Sequence, residues 1–118
     1  MGQSKPFSRV AVVVEDDDIQ RDMIALLLEQ NNFQVIQCED AETAALALKM
    51  RHPVLLVTDV SLAGRMSGIE LARLARATHP ALRVVVISGQ APMAALPDGV
   101  TFLPKPVYPS TLVREATH

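Results

Sequence analysis

The chain's 118 residues, 49% of them hydrophobic, suffice for one domain with a real hydrophobic core; a single domain over 1–118 is expected, cored at about 9–115 and without an output domain. A formal net charge of −2 with scattered basic residues lacks the footprint of a nucleic-acid binder, so no direct nucleic-acid partner is expected. No apolar run approaches the roughly 20 residues of a membrane span, and the polar start MGQSKPFSR lacks a signal peptide's apolar core, which points to a cytoplasmic protein without membrane insertion.

The first predicted strand, residues 10–14, is apolar without interruption, as befits a parallel strand covered by helices on both faces. A helix over 18–30 follows. Asp17 and Gln20 have capping-box spacing, Ile19, Met23, Leu26 and Leu27 form its apolar stripe, and Asn31-Asn32 end it. The second strand is Phe33–Cys38; Cys38, the single cysteine, cannot form an intramolecular disulfide and reads as a small core residue. Asp40 caps a second helix with small apolar positions at Ala44, Ala45 and Leu48, which Pro53 stops.

The third strand, 54–58, ends in Asp59, and a loop runs over 60–66. Ser67 and Glu70 form a capping box for a third helix carrying Ile69, Leu71, Leu74 and Ala75, which Pro80 terminates. The fourth strand is 83–87. Pro92 and Pro97 leave room for only a turn or two of a fourth helix before a short fifth strand over 101–103. Pro109 opens a last helix that ends near Thr117 and depends on packing through Leu112 and Val113. Alternating strands and helices of this kind build a parallel sheet from stacked βα units.

Glu15 and Asp16 close the first strand, Asp59 the third, Ser88 the fourth and Lys105 the fifth. An open α/β sheet binds its ligand beyond the carboxyl ends of its strands, so these groups converge on one rim. Neighbouring carboxylates there repel by about 1 to 4 kcal/mol per pair. A hard divalent cation with oxygen ligands offsets that repulsion, and an open site of two carboxylates, a backbone carbonyl and waters suits Mg²⁺. The plain alternative is that the acidic run after the first strand only caps the helix and favours its dipole. An acid at the end of the third strand has no such reason.

Lys105 alone would be a solvated charge; beside the acids it neutralises a carboxylate and can shift to a phosphoryl oxygen. Ser88-Gly89 is either an ordinary turn or a hydroxyl facing an incoming anion, with glycine leaving the approach open. A flavodoxin-type anion site is disfavoured because EDDD repels phosphate, and a haloacid-dehalogenase site because Val60 and Ser61 follow Asp59. His52 and His79 end helices on the opposite side and read as dipole-complementing charges rather than metal ligands.

VVVEDD, LLVTD, SG after the fourth strand and FLPKP, in this order, resemble the receiver domain of bacterial two-component response regulators over about residues 10–113. The resemblance implies a flavodoxin-like, doubly wound five-stranded parallel sheet of order 2-1-3-4-5. It also implies a signalling phosphoacceptor with self-catalysed phosphoryl transfer and autodephosphorylation, rather than an enzyme. Asp59 would take the phosphoryl group, in a phosphorelay, from a phosphohistidine on a sensor histidine kinase or histidine phosphotransfer protein, and an unnamed downstream protein would read the result. Glu15, Asp16, Asp59 and the Ser61 carbonyl would hold Mg²⁺, with Asp16 the more direct ligand of the acidic pair. Ser88 and Gly89 would contact the phosphoryl group, Lys105 would approach it across a cis bond to Pro106, and Phe102 would turn inward as the switch aromatic. Ser61 and Gln90 occupy positions that tune hydrolysis of the acyl phosphate.

The chain departs from the family pattern in three places. The loop VSLAGRMSG has Ala63 where proline is common and one extra residue before Gly68, so a less rigid acceptor loop is expected. The stretch from Ser88 to Lys105 is short, and the last helix is short as well. The two reductions leave the usual output face in question. The alternatives are a phosphorylation-independent receiver-like interaction module and the receiver fragment of a hybrid histidine kinase.

Overall fold

A computed structural model describes residues 9–91 and 96–117. Among these residues nine elements follow one another: β1 (Arg9–Val14), α1 (Asp18–Glu29), β2 (Phe33–Cys38), α2 (Ala41–Arg51), β3 (Leu55–Asp59), α3 (Gly68–Thr78), β4 (Arg83–Ser88), β5 (Val100–Pro104) and α4 (Pro109–Thr117). The strands form one five-stranded sheet in the order β2-β1-β3-β4-β5, every neighbouring pair parallel. The expected flavodoxin-like order is therefore the observed one. The expected short fourth helix falls mainly on 92–95, outside the described residues, so the last helix takes the label α4.

Parallel pairing puts every strand's carboxyl end on one edge, and alternation along each strand sends side chains to two cores. Val12, Val14, Leu56, Val84 and Val86 pack under α2 and α3 against Ala44, Leu48, Leu71 and Ala75. Ala11, Val13, Leu55, Val57, Val85 and Ile87 pack on the other face against Leu28, Leu112 and Ala116. β3, central and covered on both faces, is buried at all five positions.

Side-chain caps start three helices. Asp40 accepts from Thr43 N at 2.8 Å, and Ser67 and Glu70 form the complete reciprocal box. At α1 only half the expected box forms: Asp17 Oδ1 accepts from Ile19 N (2.9 Å) and Gln20 N (3.1 Å), while its own N–H donates to Glu15 Oε2 (3.1 Å) instead of to Gln20. α2 ends at His52 in the left-handed region, φ +48°.

Of the apolar stripe expected for α1, Leu27 packs against the core, but Ile19, Met23 and Leu26 point outward. Ile19, Met23 and Leu26 are 73%, 66% and 57% exposed, whereas Ala25 and Leu28 are buried and Ile24 and Leu27 pack beside them. At about 100° per residue the two sets lie on nearly opposite sides of the helix. Both faces of α1 are apolar, and the sheet took the one with the smaller alanine.

Candidate functional site

The carboxyl edge of β1, β3, β4 and β5 brings together Glu15, Asp59, Ser88 and Lys105, all drawn from strand ends by the parallel register. Glu15, Asp59 and Ser88 are buried. Lys105 Nζ lies 2.7 Å from Asp59 Oδ2 and 3.4 Å from Glu15 Oε1, so one ammonium bridges two buried carboxylates. The Lys105–Pro106 peptide is cis, as the resemblance implied. Lys105 N also donates to Ser88 O at 2.9 Å, which joins the end of β5 to that of β4.

Asp59 Oδ1 accepts from Ser61 N at 3.3 Å, a longer bond than the ion pair on Oδ2. Ser88 Oγ accepts from Gln90 N at 3.1 Å, which leaves its hydroxyl proton available for a second partner. Asp59, Ser61, Ser88, Gly89, Gln90 and Lys105 share one cleft of about 580 Å³. A Cβ on Gly89 would meet nothing within 4 Å, so the space before Ser88 is open, and the glycine there is not demanded by packing.

Burial pushes the Glu15 carboxyl above its ordinary value; the Asp17 N–H opposes the rise and the Asp59 charge adds to it. For the Lys105 ammonium burial works downward, and its bonds to Asp59 and Glu15 outweigh it, leaving the amine above its ordinary value. One cation set against two carboxylates leaves the pocket electronegative.

Asp16 is exposed and has no hydrogen bond or ion pair among the described residues. No three His, Cys, Asp or Glu side chains among the described residues converge into a ready-made metal cluster. The donors present are nonetheless hard oxygens around uncompensated negative charge, a set that fits Mg²⁺, which needs few protein ligands and keeps its waters. Phe102 sits on β5 opposite Val86 and is half-buried, neither locked in the core nor fully exposed. His52 and His79 meet edge to face, with centroids 6.4 Å apart, at the amino-end side of β3 and β4, away from the acids.

Three contributors escaped the sequence reading. Arg21 Nη1 donates to Glu15 O (2.8 Å) while its Nη2 pairs with Asp18 (2.7 Å), which holds the turn carrying Glu15 and Asp16. Gly68 lets α3 begin against the end of β3: a Cβ there would run into the Asp59 carbonyl oxygen and Val60 Cα. Glu42, far away in α2, accepts from Arg65 N and Met66 N in the loop after Asp59, both at 3.0 Å. Only the i, i+3 spacing of Asp18 and Arg21 was a visible signal.

Comparison with known proteins agrees with this geometry. The chain is 32% identical over 109 residues to the response regulator receiver protein CpdR of Brucella abortus, covering 88% of this chain and 90% of that one. It is 31% identical over 108 residues to the nitrogen assimilation regulatory protein NtrX of Azorhizobium caulinodans, of whose length the match spans only 24%. Among solved structures, the receiver domain of the hybrid histidine kinase CckA superposes with a TM-score of 0.78 at 32% identity, over 92% of this chain and 95% of that one. A response regulator receiver protein from Sinorhizobium medicae shares the fold, with a TM-score of 0.86 at 24% identity, over 93% and 92% of the two chains. No helix among the described residues is long and apolar enough to cross a membrane. The profile of the response regulator receiver domain matches residues 11–117, and the chain belongs to that family of two-component signalling proteins.

Proposed function

We propose that this receiver domain accepts a phosphoryl group on Asp59, with Mg²⁺ as cofactor, from a phosphohistidine on a sensor histidine kinase or histidine phosphotransfer protein in the cytoplasm. The observation that carries the reading is the buried carboxylate of Asp59 with Lys105 Nζ at 2.7 Å on one oxygen and only a 3.3 Å bond on the other. Oδ1, the less engaged oxygen, attacks phosphorus; the O–P bond forms as the N–P bond breaks, and the donor imidazole leaves with its electron pair.

Lys105 is already in place to meet the growing charge on the phosphoryl oxygens, and it exchanges part of its bond to Oδ2 for one to the incoming group. Ser88 Oγ keeps its bond from Gln90 N and donates its free proton to a phosphoryl oxygen, with the Gly89 backbone beside it. Glu15, Asp16, Asp59 and the Ser61 carbonyl would hold Mg²⁺, which when bound supplies positive charge against the transferring group. Phe102, half-buried on the neighbouring strand, turns inward as Ser88 is drawn to the phosphoryl group, and a downstream protein reads that change. Ser61 and Gln90 border the same cleft, where polar groups position the water that later hydrolyses the acyl phosphate.

The outward stripe of α1 supports a protein donor. Met23 and Ile24 line a groove of about 510 Å³ that continues over Pro106 and Val107 to Lys105. A helical donor laid on Ile19, Met23 and Leu26 would bury apolar surface while its phosphohistidine reached over the rim.

Intact mass after incubation with acetyl phosphate tests the reading. A single phosphoryl adduct is expected on the wild type with Mg²⁺, with none on Asp59→Asn and none after chelation. Equal labelling of wild type and Asp59→Asn would sink the assignment.

A further inference from the structure

The loop from Val60 to Ser67 is held at its start by Val60 N on Ile87 O (3.0 Å) and Ser61 N on Asp59 Oδ1 (3.3 Å), and at its end by the Ser67–Glu70 capping box. Between those anchors Leu62 and Met66 pack against the core under α2 and α3. The hydrogen bonds that tie 62–66 to another element, among the described residues, both go to one atom. Glu42 Oε2, in the first turn of α2, accepts from Arg65 N and Met66 N at 3.0 Å each, across 23 and 24 residues of sequence.

Gly64, next in line, has φ +99°, and a Cβ there would stand 2.9 Å from Glu42 Oε1. The backbone thus folds round the carboxylate, with consecutive N–H groups turned onto an anion. Glu42 is exposed and forms no ion pair among the described residues, so the protein groups that donate to its carboxylate there are these two amides. Hydrogen bonds to an ionised acceptor are roughly twice as strong as neutral ones. The loop that lacks proline at Ala63 is fastened from outside instead of stiffened from within.

We propose that Glu42 is a positioning residue for the phosphoacceptor: by clamping 64–66 it fixes the loop whose near end carries Ser61, and so sets how readily the site takes Mg²⁺ and a phosphoryl group. This rests on the reading of Asp59 as acceptor. Removal of the clamp loosens the far half of the loop while Asp59, Lys105 and Glu15, held by strand ends, stay where they are.

The experiment is a Mg²⁺ titration of the full chain, followed both by amide chemical shifts and by phosphoryl uptake from acetyl phosphate, with amide hydrogen exchange on the same samples. In Glu42→Ala, exchange at Arg65 and Met66 is expected to rise about tenfold or more, the factor lost with a charge-assisted hydrogen bond. The Mg²⁺ concentration for half-saturation is expected to rise several-fold, while exchange in β1 and β3 is unchanged. Glu42→Gln, whose amide oxygen still accepts from both N–H groups, is expected to recover most of the effect.

Faster exchange without any change in half-saturation would make the clamp merely structural and overturn the proposal. Unchanged exchange in Glu42→Ala would overturn it too. A wild type that binds Mg²⁺ but takes up no phosphoryl group overturns the acceptor reading instead, and the shift in Mg²⁺ half-saturation between wild type and Glu42→Ala still decides for or against the clamp.

Discussion

At the site itself, charge arithmetic decides which side chains matter. Lys105 neutralises one of two buried carboxylates, so its loss leaves both unpaired. Removing one partner of a buried pair costs up to about 3–5 kcal/mol, and the partial exposure of this lysine places the expected loss for Lys105→Met nearer 1–2 kcal/mol. Asp59→Asn in the same background should recover part of it, which a double-mutant cycle by urea unfolding will measure; strict additivity would deny the coupling. Cys38 gives a second check. Burial pushes its thiol up to about 11, with the Asp40 charge adding to the rise. At pH 8 only about a thousandth is thiolate, so alkylation should be slow in the folded protein and follow the unfolded fraction under urea. Since the folded value is raised, its contribution to stability is complete below the ordinary thiol pKa and is lost as pH rises toward 11. The residues readable in advance, Glu15, Asp16, Asp59, Ser88 and Lys105, are those whose position follows from ending a strand. Glu42 and Gly68 act through partners their neighbours in sequence do not reveal, the first across two elements and the second by having no side chain.

Among the elements, α1 shows why periodicity can find a helix and still misorient it. Ile19, Met23 and Leu26 repeat at helical spacing as well as Ile24, Ala25 and Leu28 do, and bulk favoured the wrong set. What selects the face is the space over β1 and β2, which no window of sequence contains. Thermal unfolding separates the faces: Met23→Ser should change stability by no more than about 0.5 kcal/mol, as for an exposed position, while Leu28→Ala should cost about 2–5 kcal/mol. Comparable losses would mean that the outer face is covered in the free protein. The strands were read to within a residue at either end, because continuous apolar runs between turn residues leave little choice. α2 and α3 were legible from their caps, Asp40 and Ser67, whereas α1 kept only half of its expected box because Glu15 took the N–H of Asp17.

For the molecule as a whole, alternation alone called for a parallel sheet of stacked βα units, whereas the order β2-β1-β3-β4-β5 was implied by the family resemblance, since more than one parallel order satisfies the same alternation; this order sets four strand ends on one rim. The rim concentrates negative charge in a chain whose overall net charge is only −2. Folding therefore works against local repulsion that a cation bound at the proposed site would relieve, and binding to the folded state alone would stabilise it. At Mg²⁺ concentrations about 100 times the dissociation constant the gain should be about 2.7 kcal/mol. For a domain of this size that corresponds to a rise of roughly 10 °C in Tm. Screening of repulsion by ordinary salt has to be separated from site binding, so the comparison is made against NaCl at matched ionic strength. Asp16, exposed and unpartnered among the described residues, should contribute little to stability without Mg²⁺, so Asp16→Asn is expected to leave the metal-free Tm within about 2 °C while removing most of the Mg²⁺ gain. An equal rise in NaCl, or a Mg²⁺ gain that survives both Asp16→Asn and Asp59→Asn, would mean that the strand-end acids serve the helix termini and not a metal.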